Sequence, residues 1–383
     1  MIVLEHDAKE LLAVQGVPVP GGIQLTQIPK YDPEQENEEA GPWLIKPQVE
    51  SLDRIPLEDI AVAVTRKEVA DGCAKLLGTQ INGHRVNSVR VERQILSDTA
   101  CFLSFSCDPI VPGVRVAVAM AGDGYGPGEG AQEVAAPDPN AVVACVNRLA
   151  TGLPENLRDP IVAAATQLAP LYFGYEALQI EISPLLILPD GSWVASDVKM
   201  IIDECALFRH PELISMIERR DFAYDALRRK RTFGLDYLIL DTAGNIGTFT
   251  TGRGLGALLV DEMRQNGLKP YNYLEADTAA LIDNPASIVE AFRLLSTANS
   301  LKAILVTALE DDTNLTELAA LLAQSLAQAP EMTCPIVLRL TGPNAEPAAA
   351  LLRDVRPNIE LEATTDSAFK RLSELTGPGA VSC

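Results

Sequence analysis

Basic residues are scarce in this chain: 31 Lys and Arg stand against 52 Asp and Glu, for a net charge of -21. Nucleic acid and anionic lipid would be repelled at long range, which excludes partners held by phosphate neutralisation. Any small anion then needs a local basic site. Histidine is limited to His6, His84 and His210, none of which flanks the seven cysteines at metal-ligand spacing, and no C-x-x-C pair occurs. Zinc-ribbon and zinc-finger sites are thereby excluded, and free buried thiols in a reducing cytoplasm are the expectation. No segment approaches about 20 uninterrupted apolar residues, so no membrane-spanning helix is expected. The opening MIVLEHDAKELLAVQG is charged throughout and has no basic run ahead of an apolar one. No signal peptide is expected, and the location it implies is cytoplasmic.

Apolar residues, by contrast, make up 47% of 383 positions, more than one hydrophobic core usually organises. Leu4, Ala8, Leu11 and Leu12 recur at helical spacing, predicting a helix over 5–15 that Gly16 and Pro18 stop. Trp43 to Lys46 and Val86 to Glu92 are predicted strands, and a helix over 65–77 between them completes a βαβ-like unit. The glycine-dense GDGYGPGEG at 122–130 fits neither a helix-opening G-x-G-x-x-G nor a Walker pattern, and is expected to be a flexible surface turn. A helix over 160–172 precedes a hairpin whose arms are 178–188 and 193–198, joined by Pro189-Asp190-Gly191.

From Leu235 the rhythm becomes strand, loop and helix. Strands are predicted near 235–240, 270–275, 302–307, 335–340 and 359–362, with helices near 254–266, 286–297, 314–328, 345–354 and 365–375. Such alternation predicts a parallel, doubly wound sheet with its binding crevice beyond the carboxyl ends of the strands. The basic run Arg228-Arg229-Lys230-Arg231 is expected to be a linker.

The order and separation of His6-Asp7-Ala8-Lys9-Glu10, Gly16-Val17-Pro18-Val19-Pro20, Ile180-Glu181-Ile182-Ser183-Pro184-Leu185, Gly244-Asn245-Ile246-Gly247 and Thr251-Gly252-Arg253-Gly254 carry a family likeness. The chain resembles the β subunits of succinyl-CoA synthetase and related NDP-forming acid–CoA ligases. The resemblance implies an α/β and α+β fold: an ATP-grasp domain over 1–232 and a flavodoxin-like domain over 233–383. It also implies ATP or GTP with Mg²⁺, and an α-like partner chain that carries a phosphohistidine and brings CoA and a small carboxylate substrate. Nucleic acid and membrane are not among the implied partners.

By the same resemblance, Lys46, Arg54 and Glu92 would hold nucleotide, and Glu181 would approach the phosphohistidine. Ser183 and Asp197 would hold metal, with serine standing where the family has an amide. Thr251, Gly252, Arg253 and Gly254 would face the substrate carboxylate. Taken alone, none of these separates a binding role from that of a solvated surface residue.

Three loops depart from the family pattern. After Lys46 the glycines are gone, and Glu50, Asp53, Glu58 and Asp59 appear. One acid about 4 Å from a phosphate at intermediate dielectric would cost about 4 kcal/mol. Tyr273-Leu274-Glu275-Ala276-Asp277 replaces a second glycine cluster, and Glu310-Asp311-Asp312-Thr313 replaces paired glycines at a helix start, where the acids are expected to cap that helix. These departures keep open a noncatalytic subunit that retains only the fold and the pairing, and a ligase for a neutral or cationic substrate.

Overall fold

The amphipathic pattern at the start of the chain forms the helix Glu5–Val14, which buries Ala8 and Leu12 completely and also His6, Asp7 and Lys9. Charged residues on a buried stripe are unusual and foreshadow the site. The computed structural model describes residues 1–30, 41–120, 130–252, 254–310, 314–329, 332–355 and 358–377. The glycine-dense turn lies, but for Gly130, outside the described residues. Two compact units are present, Met1–Tyr224 and Asp225–Cys383. The basic run therefore lies within the helix Asp225–Phe233 of the second unit and is not a linker.

The first unit contains two larger sheets. One has four strands in the order Gly22–Leu25, Ser88–Arg93, Trp43–Gln48 and Ala61–Ala63. All neighbours in it are antiparallel, so Trp43–Gln48 and Ser88–Arg93 do not form the expected βαβ unit. The helix between them, Arg66–Leu76, is started by a capping box in which Thr65 and Glu68 satisfy each other's backbone N–H groups. It lies so close to the sheet that a Cβ on Gly72 would stand 2.3 Å from Ile45 Cδ1.

The other sheet has Ala177–Ile187 near its centre, paired with Thr99–Cys107 on one side and with Val198–Ile202 and Trp193–Ala195 on the other. The expected hairpin is thus present, with its return arm broken in two. Ile180 stands in register with Met200 and Phe105, all buried, and the Phe105 ring meets Tyr172 of the helix Glu155–Gly174 edge-on. The pleat then directs Glu181, Lys199 and Ser104 to the opposite face. A helix at Pro139–Ala150, not evident in the sequence, covers the same apolar face as Glu155–Gly174.

In the second unit five parallel strands follow the spatial order Asn272–Ala276, Ile246–Thr251, Ala303–Leu309, Ile336–Thr341 and Ile359–Leu361. In chain order this is 2-1-3-4-5, the flavodoxin-like order. Leu235–Ile239 adds an antiparallel edge, where a parallel strand was expected. Helices cover both faces: Leu259, Met263, Phe369 and Leu372 pack on one, and Ile288, Phe292, Leu318, Leu322 and Leu352 on the other.

Ile246–Thr251 was hidden in the sequence by its threonines. It is fully buried because Thr248 Oγ1 donates to Asn272 O at 2.7 Å and Thr250 Oγ1 to Leu274 O at 3.2 Å. Among the cysteines, Cys107 and Cys205 are free but exposed and Cys334 is disulfide-bonded, against the expectation of free buried thiols. Among the described residues no helix is long and apolar enough to cross a membrane.

Candidate functional site

Lys46 and Glu92 come from neighbouring antiparallel strands of the four-stranded sheet, and the helix Glu5–Val14 sets Glu5 and Lys9 one turn apart against them. Lys46 Nζ stands 2.8 Å from Glu5 Oε1 and 2.9 Å from Glu92 Oε1, and donates to Ser196 O at 3.1 Å. Lys9 Nζ stands 2.6 Å from Glu5 Oε1, donates to Glu92 Oε1 at 2.9 Å and Oε2 at 2.7 Å, and reaches Ser196 O at 2.7 Å. Arg90 closes the cluster: its Nε donates to Glu92 Oε2 at 2.6 Å, its Nη1 to His6 Nδ1 at 2.6 Å and its Nη2 to Pro20 O at 2.7 Å. The side chains of Lys9 and Glu92 are wholly buried.

Burial opposes every charge here, and the partners decide the outcome. Against the cost of burial, Lys46 and Lys9 hold the Glu5 carboxyl far below the usual carboxylate range. Lys46 is raised despite its burial, because Asp197, Glu5 and Glu92 surround it. Burial lowers Lys9. Burial and the Arg90 guanidinium lower His6 to about 4, so the imidazole is neutral and accepts at Nδ1. Crowding by protein, together with the adjacent Glu5 carboxylate, pushes Asp197 up to about 7 although 47% of its side chain is open to solvent.

The remaining first-unit residues converge on the same place. Asp197 Oδ1 is 3.8 Å from Lys46 Nζ. Ser183 N donates to Asp197 O at 3.1 Å, and Glu181 is two residues along the same strand face. Arg54 arrives from the loop after Trp43–Gln48: its Nη2 donates to Ser183 Oγ at 2.9 Å and lies 3.6 Å from Glu181 Oε1. Glu181 Oε2 accepts from Gln179 Nε2 at 3.0 Å. Of the acids in that loop, Glu50 is turned to the Tyr224 N–H at 2.7 Å, while Asp53 and Glu58 are exposed.

Nearby, His6, Asp7 and Glu10 bring three ligand-type atoms within 4.8 Å of one another. Asp7 is engaged by Arg220 at 2.6 Å and by Tyr224 Oη at 2.7 Å, and Glu10 by Arg220 at 3.0 Å. Guanidinium groups supply the counter-charge, so this trio is a structural ion cluster.

In the second unit, Thr251 and Gly252 stand at the carboxyl end of Ile246–Thr251, beside Ala303–Leu309. That is the topological switch point, where the crevice of such a sheet opens. Thr251 Oγ1 donates to Glu310 Oε1 at 2.8 Å, and Thr278 Oγ1 donates to the same oxygen. Glu275, 9% exposed, accepts from Gly254 N at 3.0 and 3.1 Å and from Gly256 N at 3.0 Å.

Glu310 therefore accepts from Thr251 and Thr278 and does not cap the helix that follows it. Glu275 caps the helix Leu255–Gln265, and the helix Leu315–Gln328 is capped by Asn314, whose side chain accepts from Thr316 N. Arg253, Asp311 and Asp312 lie outside the described residues. Glu5, Lys9 and Arg90 were not singled out in the sequence, although Glu5 and Lys9 at i,i+4 among buried Leu4, Ala8 and Leu12 carry the signal of buried charge.

No family model matches the chain. It is similar to the succinate–CoA ligase [ADP-forming] subunit beta of Nautilia profundicola, 27% identical over 98% of this chain and 100% of the relative. The protein of the same description from Acidithiobacillus ferrooxidans is 29% identical over 97% of this chain and 99% of the relative. Among solved structures, ATP citrate lyase from Methanothrix soehngenii, described in complex with citrate and coenzyme A, matches with a TM-score of 0.72 and 16% identity, covering 97% of this chain and 99% of that one. Over nearly its whole length the chain is thus similar to these β subunits, and it shares the fold of the ATP citrate lyase chain.

Proposed function

We propose that the chain is the β-like subunit of an NDP-forming acid–CoA ligase assembly, whose first unit binds ATP or GTP and whose α-like partner carries the phosphohistidine. The observation that carries this reading is the convergence of Lys46, Arg54, Glu92, Glu181, Ser183 and Asp197 on one cleft of the first unit. When bound, the nucleotide supplies the phosphoryl group. Arg54, with 56% of its side chain open, is the accessible cation for its phosphates. Lys46 supplies positive potential from below, fixed by Glu5 and Glu92 and so requiring no reorganisation at the moment of transfer. Glu181, 7% exposed, would orient an incoming imidazole by hydrogen bonding, in exchange for its contacts with Arg54 and Gln179.

The test is calorimetric titration of ATP, ADP and GTP into the purified chain, alone and with its co-purifying partner. Binding at micromolar to sub-millimolar nucleotide, abolished by Lys46→Ala, supports the reading. No heat at millimolar nucleotide, from a folded protein, refutes it.

A second reading is favoured by a specific observation in the other unit. The N–H groups of Gly254 and Gly256 are occupied by Glu275, and Thr251 by Glu310, so the substrate-facing loops carry their own carboxylates. A noncatalytic subunit that keeps fold and pairing would tolerate this. A co-purifying partner that becomes phosphorylated on histidine with ATP would rule it out.

A further inference from the structure

The resemblance places a divalent cation at Ser183 and Asp197, with Glu181 beside them. Magnesium takes about six oxygens at about 2.0 to 2.1 Å, several of them water. The residues present do not fit it, because cationic and amide side chains already face their oxygens. Ser183 Oγ accepts from Arg54 at 2.9 Å, Glu181 has Arg54 at 3.6 Å on one oxygen and Gln179 at 3.0 Å on the other, and Asp197 has Lys46 at 3.8 Å. Charge leads to the same result. Glu5, Glu92, Glu181 and Asp197 already face Lys9, Lys46, Arg90 and Arg54, so cationic side chains hold the surroundings a divalent ion would need.

We propose that Arg54 is a resident counter-ion that takes the place of the divalent cation and excludes it. Its position is built from several sides. Asn82 Nδ2 donates to Ser51 Oγ at 3.2 Å, to Asp53 O at 3.4 Å and to Arg54 O at 3.3 Å. Lys199 Nζ, whose backbone pairs with Glu181, donates to Leu52 O, and Glu50 is tied to the Tyr224 N–H at 2.7 Å. The segment that a glycine-rich loop would leave free is strapped to the hairpin, with the guanidinium on Ser183. Lys199 adds a further positive group against a metal.

The inference rests on reading this cleft as the nucleotide site, and it is tested with metal alone so that the two can fail separately. Free Mn²⁺ is titrated into the full chain and its uptake followed by electron paramagnetic resonance. The wild type takes up Mn²⁺ only at millimolar concentration. Arg54→Gln binds about thirtyfold more tightly, the effect of removing one unit charge about 4 Å from a divalent ion in a water-like dielectric. The gain disappears when Asp197→Asn is added, and Arg54→Lys keeps the exclusion.

Micromolar uptake by the wild type that Asp197→Asn removes would overturn the proposal. So would a folded Arg54→Gln with unchanged affinity, or an Arg54→Lys that binds as Arg54→Gln does. Arg54→Met, which keeps the length of the stem, repeats the titration should the glutamine variant fail to fold.

Discussion

Lys9→Met is the sharpest probe of the buried cluster. Its ammonium is wholly buried and contacts Glu5 at 2.6 Å, Glu92 at 2.7 and 2.9 Å, and Ser196 O at 2.7 Å. Methionine fills the volume, so the loss is electrostatic: Glu5 and Glu92 remain buried with one cation fewer. Breaking a buried ion cluster by removing one partner costs about 3 to 5 kcal/mol. Both tryptophans, Trp43 and Trp193, lie in the first unit, so intrinsic fluorescence during urea unfolding reports on that unit alone. With a slope of about 3 kcal/mol per molar urea, the midpoint falls by about 1 to 1.7 M. Glu5→Gln combined with Lys9→Met is non-additive by at least about 1 kcal/mol, since the two share one network. A single-variant loss under about 1 kcal/mol would refute the claim that the ammonium is required to hold these carboxylates.

Further outcomes follow from other contacts. Glu275→Ala removes the acceptor for Gly254 N and Gly256 N and lowers second-unit stability by about 1 to 2 kcal/mol, read as a drop of about 2 to 8 °C in its Tm. His6 is neutral in the fold, with its pKa lowered from 6.5 to about 4 by burial and Arg90. The unfolded chain takes up that proton first, so stability is complete above about pH 6.5 and declines as pH falls toward about 4, by at most about 3 kcal/mol and by about half that with solvent screening. His6→Gln flattens this part of the pH–stability profile, and an unchanged slope would refute the assignment. Gly22→Ala puts a Cβ 2.7 Å from Glu92 Cβ and 2.8 Å from Val91 O, and destabilises the first unit by about 1 to 3 kcal/mol in the same urea assay.

Elements with clear periodicity were legible in the sequence. Glu5–Val14, the hairpin around Ala177–Ile187 and the second-unit helices Leu255–Gln265, Ala286–Ser296, Leu315–Gln328, Ala345–Val355 and Thr365–Thr376 announce themselves by spacing and turn residues, whereas Asp225–Phe233 and Thr278–Asp283 do not. Ile246–Thr251 did not, because threonine reads as polar until its hydroxyls are seen donating to the Asn272 and Leu274 carbonyls of the neighbouring strand. The parallel unit expected around Arg66–Leu76 failed for a related reason: pattern gives a strand's existence, whereas its direction depends on pairing.

At the site, it was the family resemblance that grouped Lys46 with Glu92, and residue types alone did not. They could not show that Lys9 and Arg90 also claim Glu92, or that Glu50 faces Tyr224. Glu275 was visible as an acid replacing glycine. Which helix it serves depends on strand order, and in sheet space its neighbour is Ile246–Thr251, ahead of the helix Leu255–Gln265.

The Glu275 cap also sets a threshold for any external competitor. A carboxylate carried on the adjacent strand meets the Gly254 and Gly256 N–H groups at an effective concentration that is at least millimolar even for flexible tethers, and much higher for a side chain fixed in register. A freely diffusing acid of comparable intrinsic fit, at metabolite-like levels, is outcompeted there by simple mass action. Occupancy of that helix start by an outside anion would first require the strand residue to rotate away. Entry at this point is therefore governed by a rotamer of the protein and only secondarily by the supply of ligand.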